Sequence, residues 1–142
     1  MKKRKRFVID SFALISFFQR EPGSEKVKEI LGQALLGKAV IYLSAINLGE
    51  IYYITARKLG KNLAEEMLED IENLPIKIEE ATRKRILGAS RVKAHYPLSY
   101  ADAFVVSLGM EFEASIVTGD PEFKSVEPLV EILWVNHLVS NE

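Results

Sequence analysis

Short runs of β-branched and aromatic residues alternate with helix-forming segments along the whole chain, and that alternation most constrains its fold. Residues 6–10, Arg6-Phe7-Val8-Ile9-Asp10, read as a short buried strand, with a helix over 12–18. Pro22-Gly23-Ser24 makes a turn, and Ser24 is an N-cap candidate for an amphipathic helix over 25–36. Its apolar positions Val27, Ile30, Leu31, Ala34 and Leu35 have the spacing of one buried helical face. Gly37 stops that helix, and Ala39-Val40-Ile41-Tyr42-Leu43 fits a central parallel strand. Ser44 caps a helix to about Leu59, closed by Gly60, and another spans 63–73. Pro75 introduces a short strand over 76–78, helices follow over 79–94 and 100–112 (the second with Ser99 as its cap), and the last strands are 115–118 and 131–135. Alternating units of this kind specify an α/β fold, a mostly parallel sheet of about five strands with helices on both faces. No linker, repeat or low-complexity stretch divides the 142 residues, so residues 1–142 read as a single domain.

Composition narrows the class. Hydrophobic residues make up 48% and charged residues 27%, as in ordinary globular proteins. The formal charge is −1, so contact with a polyanion has to use local basic patches rather than a global field. The chain has no cysteine, which excludes disulfides and thiolate metal sites. The basic start Met1-Lys2-Lys3-Arg4-Lys5-Arg6 and the apolar residues after it imitate a secretory signal, but Asp10 interrupts the apolar segment and no small-residue cleavage site follows. No apolar run approaches the roughly 18 residues of a spanning helix. The expectation is a cytoplasmic protein with no membrane association.

Four acids stand where surface decoration explains them poorly. Asp10 ends the run Phe7-Val8-Ile9, and Asp120 follows Ile116-Val117-Thr118-Gly119. Glu50 has Ile46, Asn47, Tyr53 and Ile54 as its neighbours at three and four residues, and Asp102 has Leu98, Ser99, Val105 and Val106. An uncompensated carboxylate in such surroundings costs several kcal/mol. Each acid taken singly is compatible with a structural ion pair, for instance Glu50 with Arg57. Two of them at strand ends, where open α/β sheets build their sites, favour one shared site instead. Carboxylates without His or Cys select hard cations, Mg²⁺ or Mn²⁺, which bind phosphate oxygens as further ligands. The chemistry expected is hydrolysis of a phosphodiester by an activated water, with phosphomonoester hydrolysis as the second reading.

Four blocks then carry a resemblance. Val8-Ile9-Asp10-Ser11, Asn47-Leu48-Gly49-Glu50, Tyr100-Ala101-Asp102-Ala103 and Val117-Thr118-Gly119-Asp120-Pro121-Glu122-Phe123 resemble the four signature blocks of PIN domains, in order and over essentially the whole chain. The similarity is closest to VapC-like toxin ribonucleases of VapBC toxin–antitoxin modules. It implies a three-layer α/β/α sandwich and Mg²⁺- or Mn²⁺-dependent endoribonuclease activity on RNA. It also implies a homodimer and a cognate antitoxin that occludes the site. Under it, Asp10, Glu50, Asp102 and Asp120 form the catalytic and metal-binding quartet, with the ion held chiefly by Asp10, Asp102 and Asp120. Ser11 and Thr118 match supporting hydroxyl positions, and Glu122 falls where many relatives carry a further acid. Gly119 stands where a polar or basic residue is commoner.

Other features have plainer readings. His95 and His137 are isolated and fit surface or capping roles, and Tyr52, Tyr53 and Trp134 fit core or dimer contacts. The arm from Lys2 to Arg6 and the cluster Arg83, Lys84, Arg85, Arg91 and Lys93 are the local patches open to RNA, or to pairing with glutamates. A haloacid-dehalogenase-type phosphatase would need an Asp where Phe12 stands, and a flavodoxin-like module would need a phosphate loop where Ser11-Phe12-Ala13-Leu14 stands. A receiver domain orders its acids differently along the chain. The alternative to an enzyme is a non-catalytic interaction module of the same fold, binding a partner through its acidic cleft.

Overall fold

In a computed structural model that describes residues 4–136, all five strands run parallel in one sheet. The elements are β1 (Lys5–Ile9), α1 (Ser11–Phe18), α2 (Ser24–Leu35), β2 (Ala39–Ser44), α3 (Ala45–Leu59), α4 (Lys61–Glu72), β3 (Lys77–Glu79), α5 (Arg83–His95), α6 (Tyr100–Phe112), β4 (Ser115–Thr118) and β5 (Ile132–Trp134). A 3₁₀ segment, Pro121–Val126, follows β4. His137, and Lys2 and Lys3 of the basic arm, lie outside the described residues.

The strand order is β3-β2-β1-β4-β5. The chain fills one side of β1 first and then crosses back through α5 and α6 to the other. The order therefore reverses between β1 and β4, the place where open α/β sheets make their clefts. Pairing of Ile9 with Val117 sets the two strands in register, and Asp10 N–H donates to the Val117 carbonyl one step further on. This brings Asp10 and the end of β4 side by side.

Pleat alternation divides the interior in two. Val8, Val40, Tyr42 and Ile116 pack under α5 and α6, among Ala89, Val92, Phe104 and Leu108. Phe7, Ile9, Ile41, Leu43 and Val117 point to the other face, against Leu14 of α1, Val27, Ile30 and Leu31 of α2, Ile51 of α3, and Met67 and Ile71 of α4. The result is the three-layer α/β/α sandwich that the alternation and the resemblance implied. Burial on both faces explains why β2 reads as an unbroken apolar run.

Several boundaries differ from the sequence expectation. Residues 79–82 are not helical: Glu79 pairs with Ser44 in the sheet, and Thr82 accepts from the Arg85 N–H and starts α5 four residues late. Ser24 is the first residue of α2 instead of its cap; Gly23, with φ 101°, takes the cap position. The 3₁₀ segment has no periodicity to betray it, because Asp120 and Pro121 set it up locally. The basic cluster on α5 is partly spent on structure. Arg85 pairs with Glu79 and Glu111, 2.9 and 3.0 Å away, and its guanidinium lies over Phe112. Trp134 packs against the core under α5 and α6.

Helix α6 sits close on β4 because Gly109 faces the sheet. A Cβ there would lie 2.6 Å from Cδ1 of buried Ile116 and 3.4 Å from Val130 Cγ1. Gly109→Ala is therefore expected to destabilise the fold by about 1–3 kcal/mol, through overpacking that outweighs the alanine's higher helix propensity. Urea denaturation measures it; a variant as stable as the parent would show that α6 has room to move.

Candidate functional site

Asp10, Glu50, Asp102 and Asp120 arrive from four different elements and line one cleft of about 350 Å³ at the carboxyl edge of the sheet. Asp10 is 1% exposed at the junction of β1 and α1. Its Oδ1 accepts from the Ala13 N–H at 2.8 Å, capping α1, and its Oδ2 accepts from the Thr118 hydroxyl. Thr118 Oγ1 also accepts from the Asp120 N–H at 3.0 Å, so one hydroxyl couples the ends of β1 and β4. Asp120 caps the 3₁₀ segment by accepting from the Glu122 N–H. Asp102 lies in the first turn of α6, where the Ser99 hydroxyl accepts from its N–H.

Glu50 projects from the second turn of α3. Its Oε1 accepts from the Ser11 hydroxyl and from Asn47 Nδ2. Arg57 is not its partner: that guanidinium lies over the Tyr53 ring, 5.1 Å from the centroid. Among the described residues, none of the four acids has a cation within ion-pairing distance.

Electrostatics follow from that. Burial pushes the Asp10 carboxyl up to about 7; the bonds from Thr118 and Ala13 oppose the shift, and the charges of Asp102 and Asp120 add to it. The Asp102 carboxyl rises to about 6, again chiefly through burial, with Asp120, Glu50 and Glu122 repelling it. Two raised carboxyls facing further acids form a cluster in want of positive charge.

The tightest group differs from the expected one. Carboxylate oxygens of Asp102, Asp120 and Glu122 lie within 4.8 Å of one another, while each oxygen of Asp10 accepts one hydrogen bond from the protein. Three carboxylates without imidazole or thiolate fit a hard divalent cation. Glu122, expected as a supporting acid, thus stands inside the cluster, because the 3₁₀ segment turns it back towards α6.

Two polar residues of the site were not singled out from the sequence. Asn47, fully buried, donates from Nδ2 to Ser11 Oγ, Glu50 Oε1 and the Ala101 carbonyl, tying α1, α3 and α6 together. Its position one turn before Glu50 in an apolar helix was the available signal. Lys58 also lines the cleft, on the α3 stripe that carries Glu50 and Ile54 at four-residue steps.

A larger cavity, about 550 Å³, opens at the amino-terminal edge of the sheet among Arg4, Lys5, Arg6, Lys26, Glu29 and Glu131. Its charges are mixed, and one strand length, roughly 15 Å, separates it from the acids. Volume alone would select it; the unpaired, proton-hungry carboxylates select the smaller cleft. The described part of the basic arm, Arg4 to Arg6, therefore sits at the far edge, with Arg6 donating to the Phe112 carbonyl.

The fold is shared with known proteins. The PIN domain family model matches residues 7–128. No curated protein sequence is significantly similar. Among solved structures, VapBC2 from Rickettsia felis bound to a promoter DNA fragment superposes with a TM-score of 0.69 at 16% identity, covering 90% of this chain and 97% of that one. DNA-bound VapBC from Salmonella typhimurium gives 0.70 at 14%, covering 92% and 98%. VapC20 from Mycobacterium tuberculosis, described as a sarcin–ricin loop cleaving toxin, gives 0.68 at 19%, covering 90% and 98%. At these identities the likeness is one of fold.

The raised carboxyls set a pH dependence of stability. Folded Asp10 holds its proton more tightly than the unfolded chain does, so ionising it costs folding free energy as pH rises from about 4 to about 7. The metal-free protein is expected to melt at higher temperature at pH 5.5 than at pH 8, by a few kcal/mol of stability at most. Asp10→Asn should flatten that slope, and Asp102→Asn should leave the metal-free fold as stable or more so. Thermal melts across pH check this; a large loss of stability in Asp102→Asn would mean that its carboxylate has a cationic structural partner.

Proposed function

The chain belongs to the PIN domain family, and from that premise we propose that it is a divalent-metal-dependent endoribonuclease, the toxin of a toxin–antitoxin pair. The observation that carries this reading is the cleft itself: four acids from separate elements line it, Glu122 stands beside two of them, two of the four have a raised pKa, and none has a cationic partner among the described residues. An interaction surface has no need to maintain such repulsion. Support for RNA as substrate comes from the fold shared with a toxin described as cleaving the sarcin–ricin loop, and support for an antitoxin partner from the VapBC complexes. The same reading makes the protein a cytoplasmic homodimer. No helix among the described residues is long and apolar enough to cross a membrane.

Asp102, Asp120 and Glu122 would hold the Mg²⁺ or Mn²⁺, with Asp10 closing the floor of the site. Bound there, the ion would supply charge neutralisation for the phosphate and a lowered pKa for the attacking water. Asp10 is pinned by Thr118 and the α1 backbone, so its charge stays at the junction of β1 and β4. Ser11 and Asn47 occupy Oε1 of Glu50 and leave Oε2 to orient the water in line with phosphorus. Water as nucleophile leaves the RNA 2′-hydroxyl outside the reaction, and the products carry a 5′-phosphate and a 3′-hydroxyl.

The expected outcome is cleavage of single-stranded RNA in Mn²⁺, none in EDTA, and loss of roughly 100-fold or more in rate on Asp10→Asn. Binding by Asp10→Asn should persist and weaken as salt rises. A gel assay with end-group analysis measures all of these. Cleavage that survives EDTA, or 2′,3′-cyclic phosphate ends, would overturn the mechanism. A well-folded protein that binds a partner but never cuts RNA would point to the interaction module.

A further inference from the structure

The acidic cleft has an aromatic lip. Phe12, the second residue of α1, is 44% exposed although Ser11 and Ala13 on either side are buried, and it lines the same cleft as Asp10 and Asp120. Leaving a phenyl ring in water forgoes burial free energy. A polar residue at this first-turn position would satisfy the helix equally well, so the ring calls for an occupant.

The ring is also held in place. It lies against the backbone of Gly119, where a Cβ would come within 2.6 Å of Phe12 Cε1 and 3.3 Å of Cδ1, with Val135 Cγ2 at 3.4 Å on the same side. Any side chain at 119 would push the ring away. Glycine there lets an aromatic face stand next to Asp120, while the backbone of α1 fixes it two residues from Asp10. A rigid ring with one side seated and the other wet is preorganised for stacking.

We propose that Phe12 is the stacking platform for an unpaired nucleobase beside the scissile phosphate. The proposal rests on the ribonuclease reading of the same cleft. An uncharged ring does not repel the RNA's phosphates as a further acid would, and every base offers it a π face. In a duplex those faces are covered by neighbouring bases, so the contact selects for strands whose bases are splayed out. Lys58 lines the same cleft and supplies the complementary contact, a cation for a neighbouring phosphate. One ring among carboxylates offers too little apolar area to dock a protein by itself.

The test compares wild type with Phe12→Ala, Phe12→Trp and Phe12→Leu, all first checked for unchanged melting temperature. In Mn²⁺, Phe12→Ala should raise KM for single-stranded RNA about tenfold with kcat within about threefold, Phe12→Trp should restore KM, and Phe12→Leu, apolar but without a π face, should not. An abasic nucleotide beside the cleaved bond should weaken wild type to the level of Phe12→Ala and leave Phe12→Ala unchanged. Phe12→Ala should keep the wild-type slope of affinity against salt, whereas Lys58→Ala should reduce it by about one. Binding of a fluorescein-labelled strand in EDTA, followed by anisotropy, repeats the comparison without cleavage. Binding without cleavage would count against the ribonuclease reading while the Phe12 variants still decide the stacking. Phe12→Ala within twofold of wild type in both assays, full restoration by Phe12→Leu, or no binding by wild type would overturn the proposal.

Discussion

Repulsion among carboxylates at the carboxyl edge of the sheet is the constraint around which the rest of the molecule is arranged. Asp10 is buried almost completely, and Asp102, Asp120 and Glu122 crowd within 4.8 Å of one another. Bringing such groups together opposes folding, and the α/β sandwich provides the free energy to do it. Side chains such as Ile9, Leu14, Phe104, Ile116 and Phe123 are fully buried around them. The cluster sits on ends of elements that this packing already holds fixed, which is how a fold tolerates local electrostatic strain.

Hydroxyls and an amide do the local work of keeping the acids apart in role. Thr118 bonds Asp10, while Ser11 and Asn47 bond Glu50. Each pairing is neutral on the donor side, so it orients a carboxylate without cancelling its charge. A lysine or arginine in either place would have given a more stable metal-free protein with nothing left to attract a cation. Among the described residues lining the cleft the cation is Lys58, and it lies on the wall outside ion-pairing distance of the four sequence-predicted acids.

Much of the architecture was legible because it depends on periodicity. Burial on both faces makes β2 a continuous apolar run, and the 3,4 spacing of Val27, Ile30 and Leu31 marks the inner face of α2. What periodicity does not encode went astray at element ends. Helix propensity alone does not separate Glu79, Glu80 and Ala81 from α5; pairing of Glu79 with β2 and the Thr82 cap do. The 3₁₀ segment is too short to have a period, and with it the closeness of Glu122 to Asp102 was hidden.

By itself the sequence determined the parallel α/β class, the order of its elements and the four acids that needed explaining, since each of these follows from local pattern and the cost of stranding a charge among apolar residues. Tertiary structure alone decided which acids meet most closely, that Asn47 and Lys58 join them, and that Phe12 rests against Gly119 at the mouth of the cleft. Those are relations between residues up to 108 positions apart, as Thr118 and Asp10 are. No local propensity carries such distances; the register of β1 against β4 and the crossover through α6 impose them.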